Sequence, residues 1–244
     1  MKGTTPEGAR NEREAADWVR AMFGRVAHRY DLANHLLSFN IDRYWRAHTV
    51  ARLRSVLARP ESRALDICCG TGDLVRALDH GRASGSAKVL GSDFCHPMLL
   101  AARAKVGDGR LFEADALRLP LADGSIDLIT VAFGFRNLAD YDAGLREMRR
   151  VLRGGGVAAI LEFSQPPNPV FGALYRFYSR RLLPAIGGVL SGSRDAYAYL
   201  PESVRKFPSP EQLVQMMQAA GFRRVEFERL TGGIVALHLG SAGD

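Results

Sequence analysis

The chain has 244 residues, 47% of them hydrophobic, enough for one α/β domain with embellishments and a substantial core. No apolar run approaches the length of a membrane-spanning helix, and the polar, acid-containing first twenty residues lack the apolar stretch of a secretory signal, so a cytoplasmic protein is expected. A net charge of +7 leaves nucleic acid, an anionic membrane surface or no particular partner as readings of the basic surface.

Residues 1–16 read as a mobile polar arm. Apolar residues at Trp18, Met22, Val26 and Tyr30 then set a helical spacing. It breaks near "LSFNID", resumes at about Arg43 and is closed by Pro60, so 17–60 is expected to be an N-terminal helical cap. From Arg63 the texture changes to short apolar runs alternating with helical segments. "RALDICC", "KVLGSDF", "RLFEADA", "IDLITVAFG" and "VAAILEFS" read as five parallel strands. Between the last two, "YDAGLREMRRVL" reads as a helix ended by Gly154-Gly155-Gly156. Residues 165–207 are too long for a simple connection and read as an insertion that caps the site. A capped helix from Ser209 follows, then two strands joined at Thr231-Gly232-Gly233. The expected architecture is a seven-stranded, mostly parallel sheet with helices on both faces, spanning 61–244 with the insertion included.

Cys68, Cys69 and Cys95 make no disulfide framework and stand at no zinc-ligand spacing, so they read as packing in a reducing compartment, and no metal is expected. "LDICCGTGD", residues 65–73, follows a strand and opens a helix, where backbone N–H groups and the helix N-terminus receive a polar ligand. Gly70 and Gly72 let the backbone approach that ligand closely. Asp73 at the helix start argues against a pyrophosphate, and the absence of Gly-Lys-Ser/Thr argues against a P-loop. Asp66 and Asp73 suit a ligand with a cationic, amino-acid-like end, such as S-adenosylmethionine. Asp93, at the end of the next strand, stands where a carboxylate accepts from ribose hydroxyls. Asp115, with the Ala116 N–H beside it, is placed to meet the adenine.

The stretch 66–73 resembles the cofactor loop of class I S-adenosylmethionine-dependent methyltransferases. More narrowly, "FGRVAHRYDLANHLLSFNIDRYWR", "DFCHPML", "FGFRN", "RVLRGGG", "LEFSQP", "YAYLPESVRKFP" and "LTGGIVALHLG" resemble the ubiquinone/menaquinone C-methyltransferase family over nearly the whole chain. The resemblance implies a Rossmann-like fold, cofactor contacts at Thr71, Asp93, Asp115 and Ala116, and methyl transfer to a ring carbon of a polyprenylated quinol. The menaquinone precursor is favoured over the ubiquinone precursor by "LTGGIVALHLG". Two positions depart from the pattern: Ala132 replaces a serine of some members, and Asn40 stands where glycine is common.

Carbon methylation needs a base, or a cation that stabilises the developing phenolate. Arg136 is the expected cation, against the alternative of a surface ion pair with Asp140 or Asp142. Asn137 offers a donor and an acceptor, and Tyr30 a base or a cover for the cofactor. Tyr197 and Tyr199 are expected to line the acceptor pocket, and Met22, Leu36, Leu37 and Phe39 its apolar entrance. The segment 170–190, with Arg176, Arg180 and Arg181 among bulky apolar residues, has the composition of an interfacial element, which places the protein at the inner face of the membrane. No Asp/Asn-Pro-Pro-aromatic motif follows the fourth strand and no basic stripe carries stacking aromatics, so nucleic acid is not an expected partner. A homodimer is left open.

Overall fold

The computed structural model describes residues 3–6, 8–182 and 194–243, with the backbone alone at 29, 33, 180, 182 and 194–198. The apolar runs form one sheet of β1 (Ala64–Ile67), β2 (Leu90–Asp93), β3 (Leu111–Glu113), β4 (Ile126–Ala132), β5 (Leu152–Phe163), β6 (Phe222–Leu230) and β7 (Val235–Ala242). Their order is β3-β2-β1-β4-β5-β7-β6. The first five pair in parallel, and β7 runs antiparallel to both its neighbours. The chain steps from β1 outward to β3, then returns to lay β4 against the other side of β1. That reversal opens a crevice beyond the carboxyl ends of β1 and β4, where open α/β sheets bind ligands.

Alternation along the strands feeds two cores. Leu65, Ile67, Ile129, Val131 and Ile160 pack with Leu145 and Met148 of α7 (Tyr141–Val151) and Leu213 and Met217 of α10 (Pro210–Ala219). Ala64, Leu128, Ala159 and Leu161 pack on the other face with Trp45, Leu57, Leu74 and Leu78. The β1–β4 register sets Asp66 beside Thr130, so this polar pair shares a face among apolar neighbours.

The helical cap forms as α1 (Glu12–Val26), α2 (Tyr30–Leu37), α3 (Ile41–Arg52) and the short α4 (Arg54–Leu57). Between α2 and α3, Phe39 and Asn40 adopt φ of 53° and 61°. Asparagine tolerates that left-handed conformation better than most residues, so Asn40 serves where a glycine would otherwise fit.

Two expectations are corrected. The first 16 residues are not a mobile arm throughout. Asn11 accepts the Glu14 N–H and starts α1 at Glu12, Ala15 is fully buried, and Thr4 is buried with its N–H on the Leu138 carbonyl at 2.8 Å. Gly154, Gly155 and Gly156 do not end a helix: α7 stops at Val151 and the glycines lie within β5, where the β4–β5 register shifts and Gly155 takes φ of 71°. The described residues of the 165–207 insertion are largely helical, including the turn that carries Tyr199. They form α8 (Pro169–Phe177), a π turn (Tyr178–Leu182) and α9 (Arg194–Lys206).

Phe135 is fully buried after β4, stacked on Tyr141 at 5.8 Å and edge-on to Phe207 at 6.2 Å. Phe135→Ala is expected to cost about 3–5 kcal/mol in urea unfolding, the usual penalty for an aromatic-sized cavity. An unchanged midpoint would contradict this packing.

Candidate active site

The turn after β1 is shaped by three left-handed residues, Cys68 (φ 49°), Gly70 (φ 53°) and Gly72 (φ 83°). The two glycines serve different ends. A Cβ on Gly70 would meet nothing within 4 Å, so its open face lets a ligand come to the backbone. A Cβ on Gly72 would sit 3.3 Å from Ala102 and Val106, so Gly72 lets α5 (Asp73–His80) close on α6 (His96–Val106). Gly72 is the one described cofactor candidate outside the cavity lining. A Cβ on Gly134 would overlap Cys68, so the turns after β1 and β4 meet there without a spacer.

Two carboxylates are buried at this edge. Asp66 accepts from the Thr130 hydroxyl at 2.6 Å, and burial pushes its pKa up to about 7 against the pull of Thr130 and Arg46. Asp93 accepts from the N–H groups of Gly70 (2.8 Å) and Cys95 (2.9 Å), which ties the glycine turn to the end of β2. Burial raises its pKa to about 6, opposed by those backbone donors. Asp115 is exposed after β3, its carboxylate taking the Leu117 N–H at 2.9 Å, with Ala116 buried beside it. Burial drives the Cys68 and Cys69 thiols well above their usual range, which suits packing rather than thiolate chemistry.

Asp73 does not offer the ligand an unmatched charge, contrary to the sequence expectation. Lys105 lies 2.5 Å from it, with Arg46 and His35 at 3.7 and 3.8 Å. Lys105 also reaches Asp31 at 2.7 Å and the Thr71 hydroxyl at 3.1 Å, and Thr71 donates to Asp31. Asp42 binds His35 at 2.8 Å, the Ser38 hydroxyl at 2.8 Å and Arg46. The acids here hold α2 and α3 to the glycine turn. His35, Asp42 and Asp73 converge as a metal site would, but Arg46 and Lys105 already neutralise the carboxylates.

Arg136 is neither a surface ion pair nor a lone cation. It is 4% exposed and reaches Glu162 of β5 at 2.8 Å, the Ser203 hydroxyl at 3.3 Å and the Phe133 carbonyl, over the Phe163 ring at 5.3 Å. Burial disfavours its charge, but Glu162, Tyr30 and Tyr199 outweigh that and raise its pKa. Asp140 instead caps α7 through the Ala143 N–H. Burial raises the Tyr30 hydroxyl and Arg136 lowers it, so the two groups share one field. Tyr199 is buried and donates to Asn137 Oδ1 at 3.0 Å. Tyr197 lies in α9, but its side chain falls outside the described residues.

A cavity of about 590 Å³ joins these groups, within the usual range for small-molecule sites. Asp66, Gly70, Thr71, Asp93, Asp115 and Ala116 line it together with Tyr30, Arg136, Asn137 and Tyr199. Sequence reasoning missed Glu162, Arg46 and an aromatic trio on its wall. Phe133 and Phe163 rings are 4.7 Å apart, with Trp45 at 5.8 and 6.1 Å from them, and Arg46 lies over Phe133. The available signal for Glu162 was an acid inside the apolar run "VAAILEFS". Met22, Leu37 and Phe39 of the expected entrance line the cavity, joined by Phe171, Leu174 and Tyr178 of the insertion.

The sheet order with its single reversed strand and the glycine turn at the switch point define a class I methyltransferase fold. Solved structures agree. A S-adenosylmethionine-dependent methyltransferase from Thermotoga maritima, described as a possible histamine N-methyltransferase, superimposes with a TM-score of 0.64 at 20% identity, covering 91% of this chain and 98% of its own. At that identity the likeness is one of fold. Residues 9–242 match the ubiE/COQ5 methyltransferase family, and the chain belongs to that family. The demethylmenaquinone methyltransferase of Thermus thermophilus is 50% identical over 90% of this chain and 99% of its own, and that of Deinococcus radiodurans 46% over 96% of each. A ubiquinone/menaquinone biosynthesis C-methyltransferase of a Geobacter species is 43% identical over 93% of this chain and 97% of its own. The chain is accordingly a methyltransferase of the quinone-biosynthesis type.

A folded-state carboxyl pKa raised above the ordinary 3.8 means that the folded protein holds its proton more tightly than the unfolded chain. The stabilising contribution of Asp66 and Asp93 is therefore complete below about pH 4 and is lost as pH rises through about 6 and 7. Asp66→Asn should gain stability relative to the native protein between pH 5 and 8 in urea titrations without ligand. A stability difference independent of pH would contradict the assignment.

Proposed function

We propose that the chain transfers a methyl group from S-adenosylmethionine to a ring carbon of a polyprenylated quinol, with demethylmenaquinol as the acceptor. The observation that carries this reading is one cavity running from the buried carboxylates Asp66 and Asp93 to a wall of Trp45, Phe133, Phe163 and Phe171. The first part suits a cationic nucleoside and the second a flat, apolar ring. The names of the Thermus and Deinococcus relatives support the menaquinone precursor over the ubiquinone one.

The residues present fit the methyl donor. The open face of Gly70 leaves room for it beside the turn. Asp66 would accept from its ammonium, Asp93 from its ribose, and Asp115 with the Ala116 N–H would meet its adenine. Arg46 lines the same cavity and would share its charge between Asp42 and the donor's carboxylate. Once bound there, S-adenosylmethionine supplies an electrophilic methyl on a sulfonium. Arg136, kept charged by Glu162, would stabilise the quinol oxygen while its proton passes to water and the ring carbon takes the methyl, and Asn137 would hydrogen-bond the ring oxygens. Loss of the ring proton at that carbon with reprotonation of the oxygen would restore the quinol, one proton leaving to solvent overall. Tyr30 covers the donor side. Holding the acceptor carbon in line with the methyl supplies much of the barrier reduction, on the order of 7–11 kcal/mol.

The polyprenyl tail leaves by an apolar rim. Leu32 and Leu36 of α2, Phe39, and Val170, Leu174 and Phe177 of α8 are all more than half exposed or close to it, with Phe39 at 73% and Val170 at 79%. Tyr178 joins the two halves, its hydroxyl donating to the Leu37 carbonyl at 2.7 Å and its ring 6.3 Å from Phe39. In the same stretches of chain, Arg43, Arg176 and Arg181 are exposed. Apolar side chains flanked by arginines suit an anionic bilayer surface, each cation contributing roughly 1 kcal/mol. Arg180 and residues 182–190 of the expected interfacial segment lie outside the side chains described. Among the described residues, no helix is long and apolar enough to cross a membrane.

The purified protein, given S-adenosylmethionine and detergent-dispersed demethylmenaquinol, should form menaquinol by mass spectrometry; product from the ubiquinone precursor alone would overturn the choice of acceptor. In flotation assays it should rise with vesicles of anionic lipid, and the Phe39→Asp, Leu174→Asp double variant should stay at the bottom. Equal flotation of both, or loss of a dimer in place of loss of flotation, would remove the membrane reading.

A further inference from the structure

The N-terminal residues reach the site through contacts that the reaction proposed above does not itself require. Gly3 lies so close to the backbone of Leu138 and Ala139 that a Cβ there would overlap the Leu138 oxygen. Thr4 donates its N–H to the Leu138 carbonyl at 2.8 Å, and Lys206 of α9 donates to the Thr5 carbonyl at 2.9 Å. Thr4 is 3% exposed, and its hydroxyl lies 2.6 Å from the Tyr199 hydroxyl. Asn137 Nδ2 faces the Phe133 carbonyl at 3.5 Å, so Oδ1 is the end that accepts from Tyr199, and Tyr199, its one proton used, accepts from Thr4. The Phe133 carbonyl at the NH2 end and the Thr4–Tyr199 hydroxyl chain at the Oδ1 end together hold the Asn137 amide in one orientation.

We propose that residues 3–6 form a strap that closes over the loop after β4, and that Thr4 and Tyr199 are positioning residues that set the amide orientation of Asn137 for the acceptor. The strap crosses Leu138 and Ala139, which line the acceptor cavity, and it bridges the sheet's catalytic loop to α9 of the insertion. Closing it fastens both walls of the cavity at once. This inference rests on the function proposed above.

The test is a double-mutant cycle on methyl transfer with Thr4→Val, Tyr199→Phe and the pair, with Thr4→Ser as the conservative control. Each single variant should lower kcat roughly three- to tenfold, the scale of one lost hydrogen bond, with S-adenosylmethionine affinity unchanged by calorimetry. The pair should fall no further than one single variant, and Thr4→Ser should restore the rate. Hydrogen–deuterium exchange, which needs no substrate, should show faster exchange at residues 133–139 in a chain lacking residues 1–6. Independent, additive effects of the two substitutions, or a lowered melting temperature with native kcat, would reduce the strap to a stabilising contact and overturn the proposal. Unchanged exchange in the shortened chain would also overturn it. Absence of methyl transfer in the native protein, with the exchange result intact, would instead count against the function and spare the closure.

Discussion

Two carboxylates kept out of water at the carboxyl edge of the sheet are the constraint on which this site is built. Burying an ionisable acid is costly unless it is hydrogen-bonded or neutralised. Asp93 recovers part of the cost from two backbone N–H donors, and those same bonds hold the glycine turn in place. Asp66 has a single hydroxyl from Thr130 and so remains the less satisfied of the two, with its pKa raised to about 7. A cation arriving beside Asp66, as the proposed function requires, would complete what the protein leaves incomplete.

The other acids near the loop have a different task. Asp31, Asp42 and Asp73 are matched by Lys105, Arg46 and His35, and the result is a lattice of charge joining the helical cap to the glycine turn. The groups are half-buried or better, so solvent screens them less than a surface pair. Glu162 and Arg136 repeat the principle under the loop after β4, where removing either partner would strand the other. Matched pairs support the turns that carry the site, and the buried Asp66, with one hydroxyl donor, is the acid that the proposed function gives to the ligand's ammonium.

Much of this was legible in the chain. Near-continuous apolar strands broken by helical segments specify a parallel sheet covered on both faces, and the Gly70–Gly72 turn with Asp93 at the next strand end marks the ligand edge. Asn40 at φ 61° explains why the family's common glycine can be replaced there. What stayed hidden depends on contacts far apart in sequence. Nothing local links Lys105 to Asp73, or Arg136 to an acid on the following strand. The first residues read as mobile because they are polar, yet Gly3 fits flat on the Leu138–Ala139 backbone because it has no side chain. Tyr199 was expected at the acceptor pocket and lines the cavity, but its hydroxyl is taken up by Thr4 and Asn137.

The most direct test of the central claim follows protons during binding. Calorimetric titration of the native protein with S-adenosylmethionine near pH 7, in two buffers of different ionisation enthalpy, reports how many protons leave on binding. A cation seated at Asp66 lowers that carboxyl's pKa, so the account predicts net proton release in the native protein and none from Asp66→Asn. Binding without proton exchange, or the same release from both proteins, would contradict it.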